Sequence, residues 1–276
     1  MQKINPLDVF LWTFRKNEKD VVNLYNTLSP IMQFATGGSM LNFGMWSNDT
    51  KDPISAQENL CLYFGDLSEL TSSKNVVDVG SGLSAPALFW KKKFADLNLY
   101  CVNINFNQLK YTNSHSLEFL NSSSTKLPFA TNSVDRVIAL ESAQHFKPLK
   151  NFISESKRIL KKSGLLMIAM PITVNFPSLK DLGILKFTWS SEHYDLNFVK
   201  NQIRSEGFEI VREILIGNKV YVPLADYYVE NRASLQKTIL QNYPKYVEST
   251  LYKSILKMKE SSKKQIIDYV LLKCRI

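Results

Sequence analysis

The chain has 276 residues, of which 45% are hydrophobic and 21% are charged, and its formal net charge is +9. This size allows one large domain with a real core, and no apolar run approaches the length of a membrane span. The positive charge favours anionic partners, namely nucleic acid, anionic lipid or an acidic small molecule, with a solvated lysine-rich surface as the alternative. The cysteines Cys61, Cys101 and Cys274 are widely spaced, which indicates reduced thiols rather than a disulfide or zinc framework.

The first sixty residues predict a helical or lid segment. The first twenty residues mix charged residues among the apolar ones and contain no small-residue cleavage site. We therefore expect a cytoplasmic protein without a signal peptide. Residues 1–30 predict a helix with the apolar positions Val9, Phe10, Trp12, Val21, Val22 and Leu24. Residues 31–53 predict an ordered loop, and Asp52 then predicts the N-cap of a helix that has Pro53 in its first turn.

From Lys74 onward, strand-like and helix-like segments alternate. The predicted strands are NVVDV, LNLYCVNI, VDRVIAL (ending at Glu141), LLMIAMP, FEIVREILIG and QIIDYVLLKCRI. The predicted helices are APALFWKKKFA, NQLKYTNSHSLEFL, LKNFISESKRILKKSG (ending at Gly164) and LNFVKNQIRSEG. This alternation predicts an α/β fold of the Rossmann-like type, with a mainly parallel sheet and helices on both faces.

The segment 221–264 interrupts the alternation. It is helix-like and contains six tyrosines, Tyr221, Tyr227, Tyr228, Tyr243, Tyr246 and Tyr252. We expect a Tyr-rich helical cap at the edge or over the mouth of the sheet, and a plain packing role is equally compatible with this composition. The expected organisation is an N-terminal lid segment at 1–60, a core at 61–220, a helical cap insertion at 221–264 and a final core strand at 265–276.

The stretch NVVDVGSGLSAPA, residues 75–87, joins the first predicted strand of this core to a helix. Asp78 lies in the strand, and Gly80 and Gly82 form the turn. In open α/β sheets, ligands bind beyond the C-terminal ends of the strands, and glycines allow backbone amides to approach them. Position 85 is Ala rather than a third glycine, and no phosphate-cradling G-x-x-x-x-G-K-[ST] motif follows.

Six segments, in this order along residues 20–215, carry a family resemblance. They are LNFGMW with ISAQENL (41–60), VVDVGSG (76–82), VNINFNQ (102–108), STKLPFATNSVDRVIALESAQHF (124–146), RILKKSGLLMIA (158–169) and TWSSEHY with GFEIV (188–211). Together they resemble class I S-adenosylmethionine (SAM) dependent methyltransferases of the small-molecule, sterol, tocopherol and rifamycin type (methyltransferase type 11-like). The resemblance implies a seven-stranded sheet and methyl transfer in secondary metabolism, with SAM as cofactor and S-adenosylhomocysteine (SAH) as product.

The resemblance also implies which residues bind the cofactor. They are Trp46, Gln57, Asp78, Gly80, Ser81, Gly82, Asn103, Ile104, Gln108, Ser123, Ser124, Thr125 and Glu141. Asp78 would hold the turn or the cofactor ammonium, or cap the next helix. Asn103 stands where many relatives have an acid that hydrogen-bonds the ribose hydroxyls, and Ser123 stands where many have an Asp that binds the adenine amino group. Backbone groups at Ser124 and Thr125 would then read the adenine.

Glu141 and His145 are the catalytic candidates, because a carboxylate and an imidazole follow the fourth strand one helical turn apart. His145 would accept a proton in O- or N-methylation, and Glu141 would stabilise a carbocation and remove a proton in C-methylation. In the alternative, Glu141 caps the next helix and His145 packs at the rim. The substrate-binding candidates are Phe43, Trp46, His145, Tyr227 and Tyr228.

We therefore expect methylation of a small, largely apolar or aromatic metabolite, with O-methylation ahead of C-methylation. A nucleic-acid methyltransferase is the first alternative, prompted by the charge, but ESAQHF replaces the Asn/Asp-Pro-Pro-aromatic block of amino-methylating enzymes, so we expect no stable nucleic-acid partner. A non-catalytic binding protein on the same fold is the second. No His/Asp/Glu cluster has metal-ligand spacing, and a homodimer is left open.

Overall fold

A seven-stranded sheet forms the centre of the molecule in the computed structural model, which describes residues 17–174, 179–188 and 192–276. The strands are β1 (Asn75–Val79), β2 (Asn98–Asn103), β3 (Glu118–Asn121), β4 (Val134–Leu140), β5 (Leu160–Thr173), β6 (Glu209–Leu215) and β7 (Ile267–Arg275). Their spatial order is β3-β2-β1-β4-β5-β7-β6. All neighbours are parallel except β7, which runs antiparallel to both β5 and β6. This architecture confirms the predicted Rossmann-like, mainly parallel sheet.

Helices cover both faces of the sheet. They are α1 (Glu18–Thr36), α2 (Pro53–Leu67), α3 (Ala85–Lys93), α4 (Phe106–Tyr111), α5 (Leu149–Ile159), α6 (Leu179–Leu182), α7 (Leu185–Thr188), α8 (Leu196–Ser205), α9 (Gly217–Glu230), α10 (Arg232–Asn242) and α11 (Lys245–Lys263). Successive strand residues point to opposite faces, so Val76 packs with Phe64 and Trp90 on one side. Val77 packs with Phe152 and Ile203 on the other.

Two predicted helix boundaries are wrong. The segment NQLKYTNSHSLEFL is helical only to Tyr111, and its last part is the edge strand β3, which pairs with β2. With four residues and no fully buried side chain, β3 lacks the apolar run by which a strand is recognised. The helix predicted to end at Gly164 ends at Ile159, because Leu160 already pairs with Val134 of β4.

The N-terminal elements differ from expectation in extent. Helix α1 continues to Thr36, inside the predicted loop, and ends at Gly37 with a left-handed φ of 77°. The predicted apolar positions Val9, Phe10 and Trp12 lie outside the described residues. Asp52 caps α2 as predicted, accepting a hydrogen bond from the Ser55 N–H at 2.8 Å. Among the helices described, none is long and apolar enough to cross a bilayer.

Candidate functional site

A cavity of about 530 Å³ opens where β1, β2 and β4 end. Ten of the candidate site residues predicted from the sequence line it, namely Phe43, Gly80, Ser81, Gly82, Asn103, Ile104, Gln108, Ser124, Glu141 and His145. Much of the remaining wall is apolar and comes from α1 and α11, including Leu24, Leu28, Ile31, Val247, Leu251 and Met258. Polar groups at the strand ends therefore face a largely apolar chamber, as is usual for small-molecule sites.

The glycine turn at the end of β1 forms one wall of this cavity. The N–H groups of Gly80 and Ser81 both donate to the Val102 carbonyl, at 2.7 and 3.2 Å. Gly80, Gly82 and Ser84 have left-handed φ values of 78°, 56° and 57°. Within the described chain, the N–H groups of Gly82 and Leu83 have no hydrogen-bond acceptor. A turn that alternates in this way forms a concave set of amides suited to an anionic group such as a carboxylate.

The end of β2 carries a network of side-chain amides. Asn103 donates from Nδ2 to the Gly82 carbonyl at 3.1 Å and to Gln108 Oε1 at 2.9 Å, and its Oδ1 accepts from the Asn105 N–H at 3.2 Å. Gln108 donates in turn to Ser29 Oγ of α1 at 3.0 Å. Both amide protons of Asn103 are thus used inside the protein, so only its Oδ1 has capacity left for a ligand hydroxyl.

The segment after β3 is tied to helix α1. Ser123 Oγ donates to the Glu18 carboxylate and lies 2.9 Å from Thr125 Oγ1. Ser124 lines the cavity, whereas Ser123 and Thr125 do not. The Ser123 hydroxyl therefore tethers α1, and Ser122 and Ser124 are the residues of this segment that line the cavity.

Glu141 directly follows β4 and adopts a left-handed φ of 52°, which is uncommon for a side chain of this size. Its Oε1 accepts from the Phe43 N–H at 2.9 Å and from the Tyr269 hydroxyl at 3.0 Å. Burial raises the pKa of this carboxyl to about 8, in spite of these two donors. At neutral pH, Glu141 is therefore mainly a neutral acid, able to donate from its second oxygen.

His145 ends a 3₁₀ turn, Ala143–His145, one turn beyond Glu141. Its Nε2 lies 2.7 Å from the hydroxyl of Tyr25 on α1, and the two rings meet edge to face with centroids 5.2 Å apart. Both side chains line the cavity. An imidazole in contact with a hydroxyl at a strand end is an arrangement that can move a proton.

Comparison with known proteins relates this site to methyltransferases. A family profile described as a methyltransferase domain matches residues 77–168, the stretch that contains the glycine turn and β4. The erythromycin 3″-O-methyltransferase of Saccharopolyspora erythraea is 24% identical over 269 residues, covering 89% of this chain and 84% of the relative. A sterol 24-C-methyltransferase of Gibberella zeae is 35% identical over 98 residues, which is 33% of this chain and 26% of that enzyme.

Residues 77–168 of the chain therefore form a methyltransferase domain. Solved structures share its fold at low sequence identity. A sarcosine dimethylglycine methyltransferase from Galdieria sulphuraria, described as putative, superposes with a TM-score of 0.78 at 16% identity, covering 90% of this chain and 97% of that one. The [4+2]-cyclase SpnF superposes with a TM-score of 0.75 at 20% identity, covering 93% of this chain and 95% of that one. The mycolic acid cyclopropane synthase CmaA1, crystallised with SAH, superposes with a TM-score of 0.75 at 17% identity, covering 91% of this chain and 95% of that one.

Several predicted site residues of this methyltransferase lie outside the cavity wall. Asp78 is 3% exposed, and burial raises its pKa to about 7. Gln57, also buried, donates from Nε2 to the carbonyls of Met40 and Asn42 at 3.1 and 2.7 Å. It thereby holds the loop that supplies Phe43. Asp78 does not cap α3, whose N-cap is Ser84.

The aromatic residues Trp46, Tyr227 and Tyr228 are also absent from the cavity wall. The Trp46 ring packs on Tyr227 with centroids 5.5 Å apart, and the backbone N–H of Trp46 donates to the Lys219 carbonyl at 2.8 Å. Tyr228 is buried and packs against Tyr252. These contacts fasten the loop before α2 to helix α9 and α9 to α11, so the three rings are placed for packing.

Tyr25 is a site residue that the sequence reasoning did not single out. It is separated from His145 by 120 positions, so no local motif connects the two. A signal was present in the spacing, because Val21, Tyr25 and Leu28 fall on one face of the predicted helix. An aromatic residue with a polar end on an apolar face indicates a buried hydroxyl that needs a partner.

Proposed function

We propose that this methyltransferase transfers the methyl group of SAM to a hydroxyl oxygen of a small, largely apolar or aromatic metabolite. The observation that carries the proposal is the imidazole of His145 on the wall of the cavity that also contains the glycine turn. Methylation of a hydroxyl releases a proton, and a neutral imidazole is suited to accept it. The chain would orient the acceptor hydroxyl toward the methyl group of SAM and supply His145 as the base.

The residues around the turn fit the cofactor. The N–H groups of Gly82 and Leu83 would receive its carboxylate. Asp78 has no hydrogen-bond donor among the described residues and is buried without a cationic partner there, so it would favour the cofactor ammonium, directly or through water. Asn103 Oδ1 and Ser124 would contact the ribose and adenine ends. When bound, SAM supplies an electrophilic methyl group on a cationic sulfur.

The acceptor class follows from the cavity wall. Within the described ranges, the acidic and basic side chains there are Glu18, Glu141, His145 and Lys147, besides the hydroxyls of Tyr25 and Tyr246. Lys147 is already paired with Glu192 at 3.2 Å. Leucine, isoleucine, valine and methionine side chains from α1 and α11 form much of the remaining surface. Burying an unpaired charge against them would be costly, so we propose an acceptor with a substantial apolar body and no charge at its reacting end.

Oxygen is favoured over carbon as the acceptor atom by two observations. Glu141, the group suited to remove a proton after C-methylation, is mainly protonated at neutral pH because burial raises its pKa to about 8. The O-methyltransferase relative aligns with 89% of this chain, whereas the sterol C-methyltransferase of Gibberella zeae aligns with 33%. C-methylation of an isoprenoid or ring carbon is the second candidate, because Glu141 does line the cavity.

The test is an acceptor screen with SAM that carries a trideuterated methyl group. Two acceptor probes represent the two chemistries, a 3″-O-demethylated erythromycin for a hydroxyl and a Δ24 sterol for an alkene. Mass spectrometry detects the transferred label, and NMR of the product locates it on oxygen or carbon. Label on oxygen supports the proposal, and label on carbon contradicts it.

Variants at two of the three histidines sharpen this test. His145→Gln is expected to lower kcat by roughly a hundredfold or more, because general-base catalysis is typically of that size. His115→Gln makes the same chemical change at an exposed position outside the cavity, so it should leave kcat unchanged. Equal activity of the two variants would contradict the role given to His145.

A further inference from the structure

We propose that Tyr25 is a catalytic residue which relays the acceptor proton to His145; this rests on the proposed O-methylation. The Tyr25 hydroxyl lies 2.7 Å from His145 Nε2, so it takes the position from which an acceptor hydroxyl would have to reach that nitrogen. Tyr25 itself lines the cavity. The hydroxyl is therefore the group that an acceptor meets before the imidazole.

The edge-to-face contact fixes the relative orientation of the two rings. Their planes are 81° apart, with centroids at 5.2 Å. His145 is further restrained by the 3₁₀ turn, in which its backbone N–H donates to the Ser142 carbonyl at 2.9 Å. A donor and an acceptor held in this way need little reorganisation when the proton moves.

Helix α1 holds Tyr25 through contacts on both sides of it. Toward the N-terminus, the Glu18 carboxylate accepts from Ser123 Oγ. Toward the C-terminus, Asn26 Oδ1 accepts from Asn105 Nδ2 at 3.0 Å, and Ser29 Oγ accepts from Gln108 Nε2 at 3.0 Å. The segments that carry the predicted cofactor residues thus position the same helix that supplies Tyr25.

The proposed step balances in protons and electrons. The acceptor O–H bond breaks as its proton moves to the Tyr25 oxygen, while the original Tyr25 proton moves to His145 Nε2. The acceptor oxygen forms a bond to the methyl carbon, and the electron pair of the breaking carbon–sulfur bond stays on sulfur. Tyr25 ends neutral, His145 ends as an imidazolium, and the positive charge lost from sulfur appears on the imidazole.

Tyr25→Phe tests the relay because it removes the hydroxyl and keeps the ring that packs on His145. Its matched control is Tyr111→Phe, which removes a hydroxyl that also contacts α1, accepting from Gln33 Nε2 at 3.0 Å. Tyr111 is 58% exposed and does not line the cavity. With the demethylated erythromycin as acceptor, we expect Tyr25→Phe to lower kcat by at least about tenfold, with SAH affinity by calorimetry unchanged and Tyr111→Phe matching the wild type.

Two further measurements separate a relay from a structural tether. In mixtures of light and heavy water, two moving protons give the wild-type rate a curved dependence on deuterium fraction, and Tyr25→Phe should make it linear. In ¹⁵N NMR of the histidine rings, the Nε2 signal of His145 should shift in Tyr25→Phe and stay in place in Tyr111→Phe. His145→Gln assigns that signal among the three histidines.

The outcomes distinguish the relay from the function on which it rests. If the wild type methylates oxygen and Tyr25→Phe retains its kcat, the relay is wrong and the proposed function stands. If Tyr25→Phe and Tyr111→Phe lose SAH affinity to the same extent, Tyr25 only tethers α1 and the relay is again wrong. If the wild type places the label on carbon, both proposals are wrong.

Discussion

Gly80 and Gly82 have the same left-handed backbone but different surroundings. A Cβ at Gly80 would lie 2.4 Å from Ser142 Cβ, whereas at Gly82 the nearest atom would be Leu41 Cδ1 at 3.6 Å. Alanine at either position incurs about 1–2 kcal/mol for the left-handed conformation, and overpacking adds about 1–3 kcal/mol at Gly80 alone. We expect Gly80→Ala to lower the free energy of unfolding, measured in urea, by clearly more than Gly82→Ala. Equal losses would contradict the crowding argument.

Glu141 should make the affinity for SAM, but not for SAH, depend on pH. Burial raises its pKa to about 8, and SAM has a positive sulfur that SAH lacks. An ionised Glu141 attracts that charge, so the ratio of SAM to SAH affinity should rise by about tenfold between pH 6.5 and 9. Calorimetry with both ligands measures this ratio, and Glu141→Gln should make it independent of pH. A flat ratio in the wild type would show that Glu141 does not face the sulfur.

At the residue scale, the sequence locates strand-end residues better than it locates their partners. Gly80, Asn103 and His145 follow strands whose ends meet at one edge of the sheet, so their common placement could be predicted. Asp78 is absent from the cavity wall because it lies within β1, before the strand ends, where it is buried and paired with Cys101 of β2. Tyr25 depends on how α1 docks, and that docking is set by contacts across more than 75 positions.

Helix α1 is the element whose attachment most directly shapes the site. Asn105 caps α4 by accepting from the N–H groups of Asn107 and Gln108 at 3.1 and 3.3 Å. Its Nδ2 also donates to Asn26 Oδ1 of α1 at 3.0 Å. Serine is an equally good N-cap but is too short to reach α1. Asn105→Ser therefore keeps the N-cap of α4 and removes the hydrogen bond to α1.

We expect Asn105→Ser to increase hydrogen exchange in Glu18–Thr36 by about fivefold, because one lost hydrogen bond corresponds to about 1 kcal/mol. Asn107→Ser makes the same substitution at an exposed residue two positions later and should leave this exchange unchanged. Hydrogen–deuterium exchange with mass spectrometry resolves the two cases. Equal protection of α1 in both variants would show that the Asn105 contact does not hold the helix.

At the element scale, long apolar segments were predictable and short polar ones were not. The buried strands β1, β4 and β7 have apolar runs that define them without tertiary information. β3 has the polar ends Glu118 and Asn121 and is a strand because β2 offers it an edge. Likewise, α5 ends before Lys161 because pairing with β4 begins at Leu160, a tertiary effect that overrides helical periodicity.

At the scale of the whole molecule, helices α9 to α11 share the core of the sheet. Tyr221 of α9 and Met258 of α11 belong to the same buried cluster as Trp90 and Met167. The Tyr221 hydroxyl also donates to the Asp268 carbonyl of β7 at 3.2 Å. The predicted cap segment is therefore joined to the sheet by apolar packing as well as by the chain, and it adds α11 to the cavity wall.

The same shared core buries two acids, and this sets how stability depends on pH. Burial raises the pKa of Asp78 to about 7 and of Glu141 to about 8, so the folded protein binds protons that the unfolded chain releases above about pH 4. Stability must then fall as pH rises from about 4 to 8, by on the order of 1 kcal/mol per pH unit for each group. Glu155 has the opposite effect on stability, because its hydrogen bond from Arg158 lowers its pKa. Its contribution to the free energy of unfolding is therefore lost in acid.

Urea unfolding of the cofactor-free protein from pH 5 to 9 checks this balance. The wild type should lose stability from pH 5 to about 8 and change little above it, and the double variant Asp78→Asn with Glu141→Gln should lose markedly less. Glu155→Gln is the matched control, because it removes an acid of lowered pKa and should keep the alkaline loss intact. A double variant that follows the wild-type slope would mean that both carboxyls are ionised in the folded protein, through a cation or water that the packing around β1 and β4 admits.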